Sequence, residues 1–158
     1  MAKSGKRKAA PGDVATNRQA SFRYELLDRW ECGIELLGPE VKSLREGGGQ
    51  LKDAYAALYE GELWLHRMYI APYRPAAREN HEPERVRKLL LNRRELERLV
   101  GQTSEKGFTL VPTRVYFRGP WAKVEIALGR GKTGIDRRRD LKEREQKREI
   151  DRALAERS

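Results

Sequence analysis

The stretch "RVYFRGPWAK" alternates Arg114, Tyr116 and Arg118, then carries Trp121 and Lys123 beyond a Gly-Pro turn. On a strand Arg114, Tyr116 and Arg118 share one face, because successive side chains point to opposite sides. Aromatic rings stack on unpaired bases while cations neutralise phosphate, so the chemistry offered is nucleic-acid binding. An ordinary solvent-facing side of a barrel has the same pattern. The formal net charge of +10 weighs the reading toward RNA or DNA.

Catalytic constellations are weaker. His66 and His81 fall in a predicted strand and a charged loop, and no His-x-x-x-His, Cys-x-x-Cys or P-loop spacing occurs. "EGGGQ" is glycine-rich but lacks a phosphate-loop lysine, so it reads as a loop after a helix. Cys32 is the one cysteine, which excludes an internal disulfide framework or a cysteine zinc site. Acidic residues are interleaved with Lys and Arg, as on solvated faces. No enzyme activity, cofactor or metal is expected.

These residues need elements to position them. "FRYELL" and "CGIELL" alternate apolar and polar residues and predict half-buried strands. "GPEVKSLREGGG" predicts a helix of one to two turns with a glycine stop. "AYAALYEGELWLHRMYI" predicts a hairpin turning at Glu60–Gly61, and "FTLVPTRVYFRGPWAKVEIALG" a second around Gly119–Pro120. Residues 71–88, with Pro72, Pro75 and Pro83, read as a long surface loop. Asn92 is placed as the cap of a helix, with Glu95 three residues on and Leu96, Leu99, Val100 and Thr103 as its inward stripe. About six short strands, one short helix and one longer helix predict a mainly β fold with flanking helices. The expected form is an OB-like antiparallel β-barrel plus a basic C-terminal tail, disordered or helical.

Charge divides the chain. Residues 1–20 hold five basic residues and one acidic, net +4; residues 129–158 hold eleven and seven, again +4. The residues between hold eighteen and sixteen, net +2. Three regions are therefore expected: a flexible basic arm at 1–16, a barrel domain at 17–130 and a charged tail at 131–158. No apolar run is long enough to span a bilayer, and the basic N-terminus lacks the apolar core of a secretory signal. A cytoplasmic protein without a membrane partner, monomeric when free, is expected.

The segments "GPEVKSLREGG", "RKLLLNRREL", "IAPY", "WAKVEIALGRGK" and "DLKEREQKREI" together resemble the SmpB family, the SsrA-binding proteins of bacterial trans-translation. The resemblance runs from about Asn17 to the C-terminus. It implies an OB-like barrel that binds the tRNA-like domain of tmRNA and delivers it to stalled ribosomes. It also implies a tail that occupies the empty mRNA channel near the decoding centre, against small-subunit ribosomal RNA.

Residue by residue, the resemblance puts RNA contacts at Asn17, Arg18, Glu31, Leu90, Asn92 and Lys123. It puts Lys132, Asp136, Arg137, Arg138, Lys142 and Arg144 in the ribosome-facing tail. The chain departs from the family at Ser21 and Phe22, where an Arg and a His are usual. It departs again at Thr133, which removes a cation, and at Ile135, where a His is common. The tail is expected to be unfolded or fluctuating when free and helical when bound. A basic barrel enzyme acting on RNA and a general ribosomal protein are the competing expectations. The first requires a metal or convergent titratable groups.

Overall fold

The computed structural model describes residues 12–104, 107–132, 142 and 144–153. In chain order it contains β1 (Asp13–Thr16), α1 (Ala20–Arg23), β2 (Tyr24–Ile34), α2 (Gly38–Arg45), β3 (Gly49–Gln50) and β4 (Tyr55–Tyr59). There follow β5 (Glu62–His66), β6 (Tyr69–Ile70), a 3-10 helix (Arg74–Glu79), β7 (Arg87–Leu90), α3 (Arg93–Thr103), β8 (Phe108–Arg118) and β9 (Trp121–Gly131). The seven-stranded antiparallel sheet runs β1-β8-β4-β5-β7-β2-β9, and β9 pairs back onto β8. Six strands thus close into a ring, with β1 added alongside β8, which is the expected OB-like barrel.

Local chemistry explains the well-read elements. The β4–β5 hairpin turns at Glu60 (φ 51°) and Gly61 (φ 77°), the positive-φ pair whose twist suits two antiparallel strands. Gly119 (φ 62°) turns β8 into β9, with Arg118 opposite Trp121. Pro39 stands in the first turn of α2 and Glu40 accepts from the Leu37 N–H at 2.8 Å, which closes the helix start. "EGGGQ" is required by packing. A Cβ on Gly48 would lie 2.3 Å from Ser43 Oγ, and one on Gly49 would lie 2.5 Å from Leu44 Cδ2.

Inside the ring, Trp30, Cys32, Leu44, Leu63, Leu65, Met68, Ile70, Val115, Val124 and Ile126 are buried in one core. Burial pushes the Cys32 thiol up to about 12, with the Glu95 and Glu31 carboxylates adding to the rise, so it stays a neutral core group.

Several expectations are corrected. Asp13–Thr16 does not belong to a flexible arm: it pairs with Tyr116, Val115 and Arg114 of β8. "FRYELL" is split, with Phe22 and Arg23 in α1, and its last four residues join "ECGI" in one eleven-residue strand. A register shift between Leu26 and Arg29 breaks the alternation and hides that continuity. Residues 71–88 are not only surface: His81 and Arg87 are buried, and Arg87 opens β7. Val100 points outward, 41% exposed, and only Leu99 of the predicted α3 stripe is fully buried. α3 ends at Thr103, before Gly107.

One buried ionic cluster fixes β7. Glu40 and Arg87 are both inaccessible to solvent, and Arg87 Nε donates to Glu40 Oε2 at 2.6 Å. The guanidinium also donates to the carbonyls of Met68 (2.7 Å), Arg85 (3.0 Å) and Pro83 (3.2 Å). Arg85 Nη2 reaches Glu40 Oε1 at 2.6 Å. Burial opposes the charged form of Glu40, but the bonds from Arg85, the Leu37 N–H and Arg87 outweigh it and hold the carboxyl below its ordinary range. α2, the 71–86 segment and β7 are thereby pinned together.

Candidate nucleic-acid interface

β7 carries Leu90 to the outer face of the sheet. Leu90 pairs with Gly33 of β2, Gly33 pairs with Lys123 of β9, and Lys123 pairs with Tyr116 of β8. These four residues form one outward row across four strands. A Cβ on Gly33 would lie 3.3 Å from the Leu90 Cβ, so glycine leaves room for the leucine to lie over the row. Leu90 is 45% exposed, an apolar surface with polar groups around it.

Glu31 stands two residues before Gly33 on the same face. Its Oε2 accepts from Tyr116 Oη and from Arg118 Nη2, both at 2.7 Å. The Tyr116 hydroxyl bond, the Arg118 guanidinium and the Lys123 charge together hold the Glu31 carboxyl below its ordinary value. It is therefore an ionised acceptor at neutral pH. Arg114 lies over the Tyr116 ring at 4.2 Å and pairs with Asp13 at 2.8 Å. Trp121, at the hairpin tip, is 70% exposed.

Because β7 and β2 are antiparallel, Asn92 follows Leu90 at the level of Glu31. Asn92 caps α3: its Oδ1 accepts from the Glu95 N–H at 2.9 Å, and its Nδ2 donates to Glu95 Oε1 at 2.8 Å. The expected capping box is altered, since the Glu95 side chain binds the Asn92 side chain. Glu31, Leu90, Asn92 and Lys123 are thus brought to one face, although they come from three separate stretches of sequence.

Asn17 and Arg18 lie elsewhere. Asn17 follows β1, with its N–H bonded to the Thr113 carbonyl at 2.8 Å and its Nδ2 to the Pro112 carbonyl at 3.0 Å. It lines a cavity of about 350 Å³ with Arg23, Tyr24, Lys52, Tyr55 and Arg67. Tyr24 and Gly33 are nine steps apart on β2, roughly 30 Å in an extended strand, so the two surfaces are distinct. The tail leaves from the cavity side, where the Lys132 N–H bonds to the Arg23 carbonyl at 3.1 Å.

Sequence reading missed Tyr55 and its partner His66, stacked at 4.8 Å with rings 4° from parallel. Counting outward from the Glu60–Gly61 turn sets these two opposite each other, which was the available signal. The Glu31–Tyr116–Arg118 link spans 85 and 87 positions and had no local signal.

Of the tail residues, Asp136, Arg137 and Arg138, with the departures Thr133 and Ile135, lie outside the described residues. Lys142 and residues 144–153 are helical and exposed. Of the two forms expected for the tail, disordered or helical, its described part has the helical one. The i,i+3 pairs Glu145–Arg148, Arg148–Asp151 and Glu149–Arg152 add to Lys147–Asp151 against the like-charge repulsions. Arg144 also sits 5.6 Å from the centre of the Phe22 ring.

Among the described residues no group of three or more His, Cys, Asp or Glu is placed to hold a metal ion. No helix among them is long and apolar enough to cross a membrane.

The fold and face define a basic β-barrel with an outward aromatic and cationic sheet surface. The family model described as "SmpB protein" matches residues 14–156. A protein of Sulfurihydrogenibium sp. (strain YO3AOP1) named "SsrA-binding protein" is 51% identical over 141 residues, covering 89% of this chain and 93% of that one. A protein of the same name from Salinispora arenicola (strain CNS-205) is 52% identical over 145 residues, covering 92% and 91%. Among solved structures, a chain described as "tmRNA-SmpB: a journey to the center of the bacterial ribosome" superposes with a TM-score of 0.64. It is 47% identical and covers 75% of this chain and 84% of that chain. The chain belongs to the SmpB family.

Proposed function

We propose that this protein is an RNA-binding adaptor of trans-translation. It binds the tRNA-like domain of tmRNA and delivers it, in the bacterial cytoplasm, to ribosomes stalled on incomplete messages. The observation that carries this reading is the outward row Leu90–Gly33–Lys123–Tyr116, flanked by Glu31 and Asn92. Its relatives are named SsrA-binding proteins.

Each residue has a separate task in this proposal. Lys123 neutralises phosphate. Leu90 packs on a base or ribose. The ionised Glu31 accepts from base-edge amines, and Asn92 lends its amide while capping α3. Asn17 and Arg18 meet RNA from the tail-root side. The barrel, residues 17–130, supplies tmRNA affinity. The tail, residues 131–158, enters the empty mRNA channel near the decoding centre through Lys132, Asp136, Arg137, Arg138, Lys142 and Arg144. The adaptor makes and breaks no covalent bond itself.

Truncation after Gly131 tests the division. The shortened protein is expected to keep its affinity for the tRNA-like domain in a filter-binding assay and to lose tagging of nascent chains on stalled ribosomes. Equal loss of both activities would refute it.

A further inference from the structure

Several cations on the outer surface of the barrel already have partners. Arg29 pairs with Glu125, Arg118 with Glu31, Arg130 with Glu25 and Lys88 with Glu62. Arg45 lies over Phe117 at 4.0 Å. α3 is different. Arg93, Arg94 and Arg98 are exposed, and among the described residues no carboxylate is within ion-pair distance of them.

At 3.6 residues per turn Arg94 and Arg98 stack one turn apart on the same flank. Like charges at that spacing repel, and the exposed Glu97, three residues after Arg94 and four before Gly101, lies beside them without coming within ion-pair distance of either. Gly101 comes next on that ridge, three residues after Arg98. It is exposed, sits inside the helix, and a Cβ added there would meet nothing within 4 Å. The helix itself gains nothing from a glycine at this position and is weakened by it. What a glycine there provides is close approach of another molecule to the helix surface.

Two features that each weaken α3 thus coincide on one ridge, and both favour an anionic strand lying flat along it. The ridge begins two residues after Asn92, the cap that follows Leu90 out of β7. The geometry points to the Arg94–Arg98–Gly101 ridge of α3 as a track for the sugar-phosphate backbone of the bound RNA, reaching beyond the sheet face. This rests on the proposed binding of the tRNA-like domain. Arg94 and Arg98 each neutralise a phosphate, and Gly101 lets the ribose edge close on the helix.

The experiment uses the full chain and a transcribed tRNA-like domain, with affinity measured from low to moderate salt. Replacing Arg94→Gln and Arg98→Gln together is expected to weaken binding roughly five- to tenfold at low salt. It should also reduce the slope of log affinity against log salt by roughly 1 for each lost phosphate contact. Gly101→Ala is expected to raise the melting temperature and yet weaken binding, which a purely structural glycine would not do. An unchanged salt slope in the double variant would overturn the track, as would a Gly101→Ala protein that is more stable and binds equally well. Wild-type protein that shows no preference for the tRNA-like domain over a hairpin of equal length would instead overturn the functional reading on which the track rests.

Discussion

Glu40 and Glu31 are both carboxylates held by more than one donor, and they sit in opposite settings. Glu40 is inaccessible and meets Arg85, Arg87 and a backbone N–H, all within the chain. Glu31 is on the outer face, its side chain 35% exposed, and meets Tyr116 and Arg118 at the edge of solvent. The buried cluster cannot trade partners, because any replacement would have to enter a closed core. The exposed one can, because water and a ligand compete for the same oxygens at little cost. The inner carboxylate builds the frame that carries Leu90, and the outer one faces solvent on the surface where the RNA contact is proposed.

The largest effect expected from breaking this comparison is at the inner site. Glu40→Ala leaves the Arg87 guanidinium buried without its counter-ion, and urea unfolding should show a loss of roughly 3–5 kcal/mol. Acid should act in the same direction. The Glu40 carboxyl is held below its ordinary value of 4.5, so its stabilisation is fully present above about pH 4.5 and is lost as pH falls through the lowered folded value. A Glu40→Gln variant should therefore show less of the wild-type loss of stability at low pH in parallel melts.

An intermediate effect is expected at Asn92. Its replacement by alanine removes the cap of α3 and should lower stability by about 1 kcal/mol, with a larger proportional loss in tmRNA affinity. A loss of stability alone would reduce Asn92 to a helix cap. The smallest change in stability is expected at Glu31. Glu31→Gln should shift the unfolding free energy by no more than about 0.5 kcal/mol, because the site is exposed. Its RNA affinity should still fall, since the amide loses one charged acceptor oxygen. If Glu31→Gln unfolds the protein as Glu40→Ala does, the two carboxylates are not different in kind.

Legibility in the sequence follows the range of the forces involved. The Glu60–Gly61 and Gly119–Pro120 turns and the Asn92 cap are settled within a few residues, and local patterns were enough to find them. β7 was hidden because its first residue, Arg87, is a charged side chain whose burial depends on Glu40, 47 positions away. β1 was hidden because a four-residue strand acquires meaning only from its partner β8, about a hundred positions on. For the candidate site, the alternation of Arg114, Tyr116 and Arg118 was plain in the sequence. That Arg118 and Tyr116 both turn onto Glu31 was not, since three strands must pair before those groups meet.

The ring closure of the sheet has a consequence for life in a crowded solution. An open sheet edge is a template on which another chain can add a strand. Among the described residues the six ring strands form a closed circuit, β4 meeting β8 at Ala56–Leu110, and the strands outside it are β1, four residues long, with β3 and β6 at two residues each. Edges so short give a stray polypeptide almost nothing to zip onto. A protein that works beside emerging, unfinished chains is thereby protected from being recruited into their misfolding.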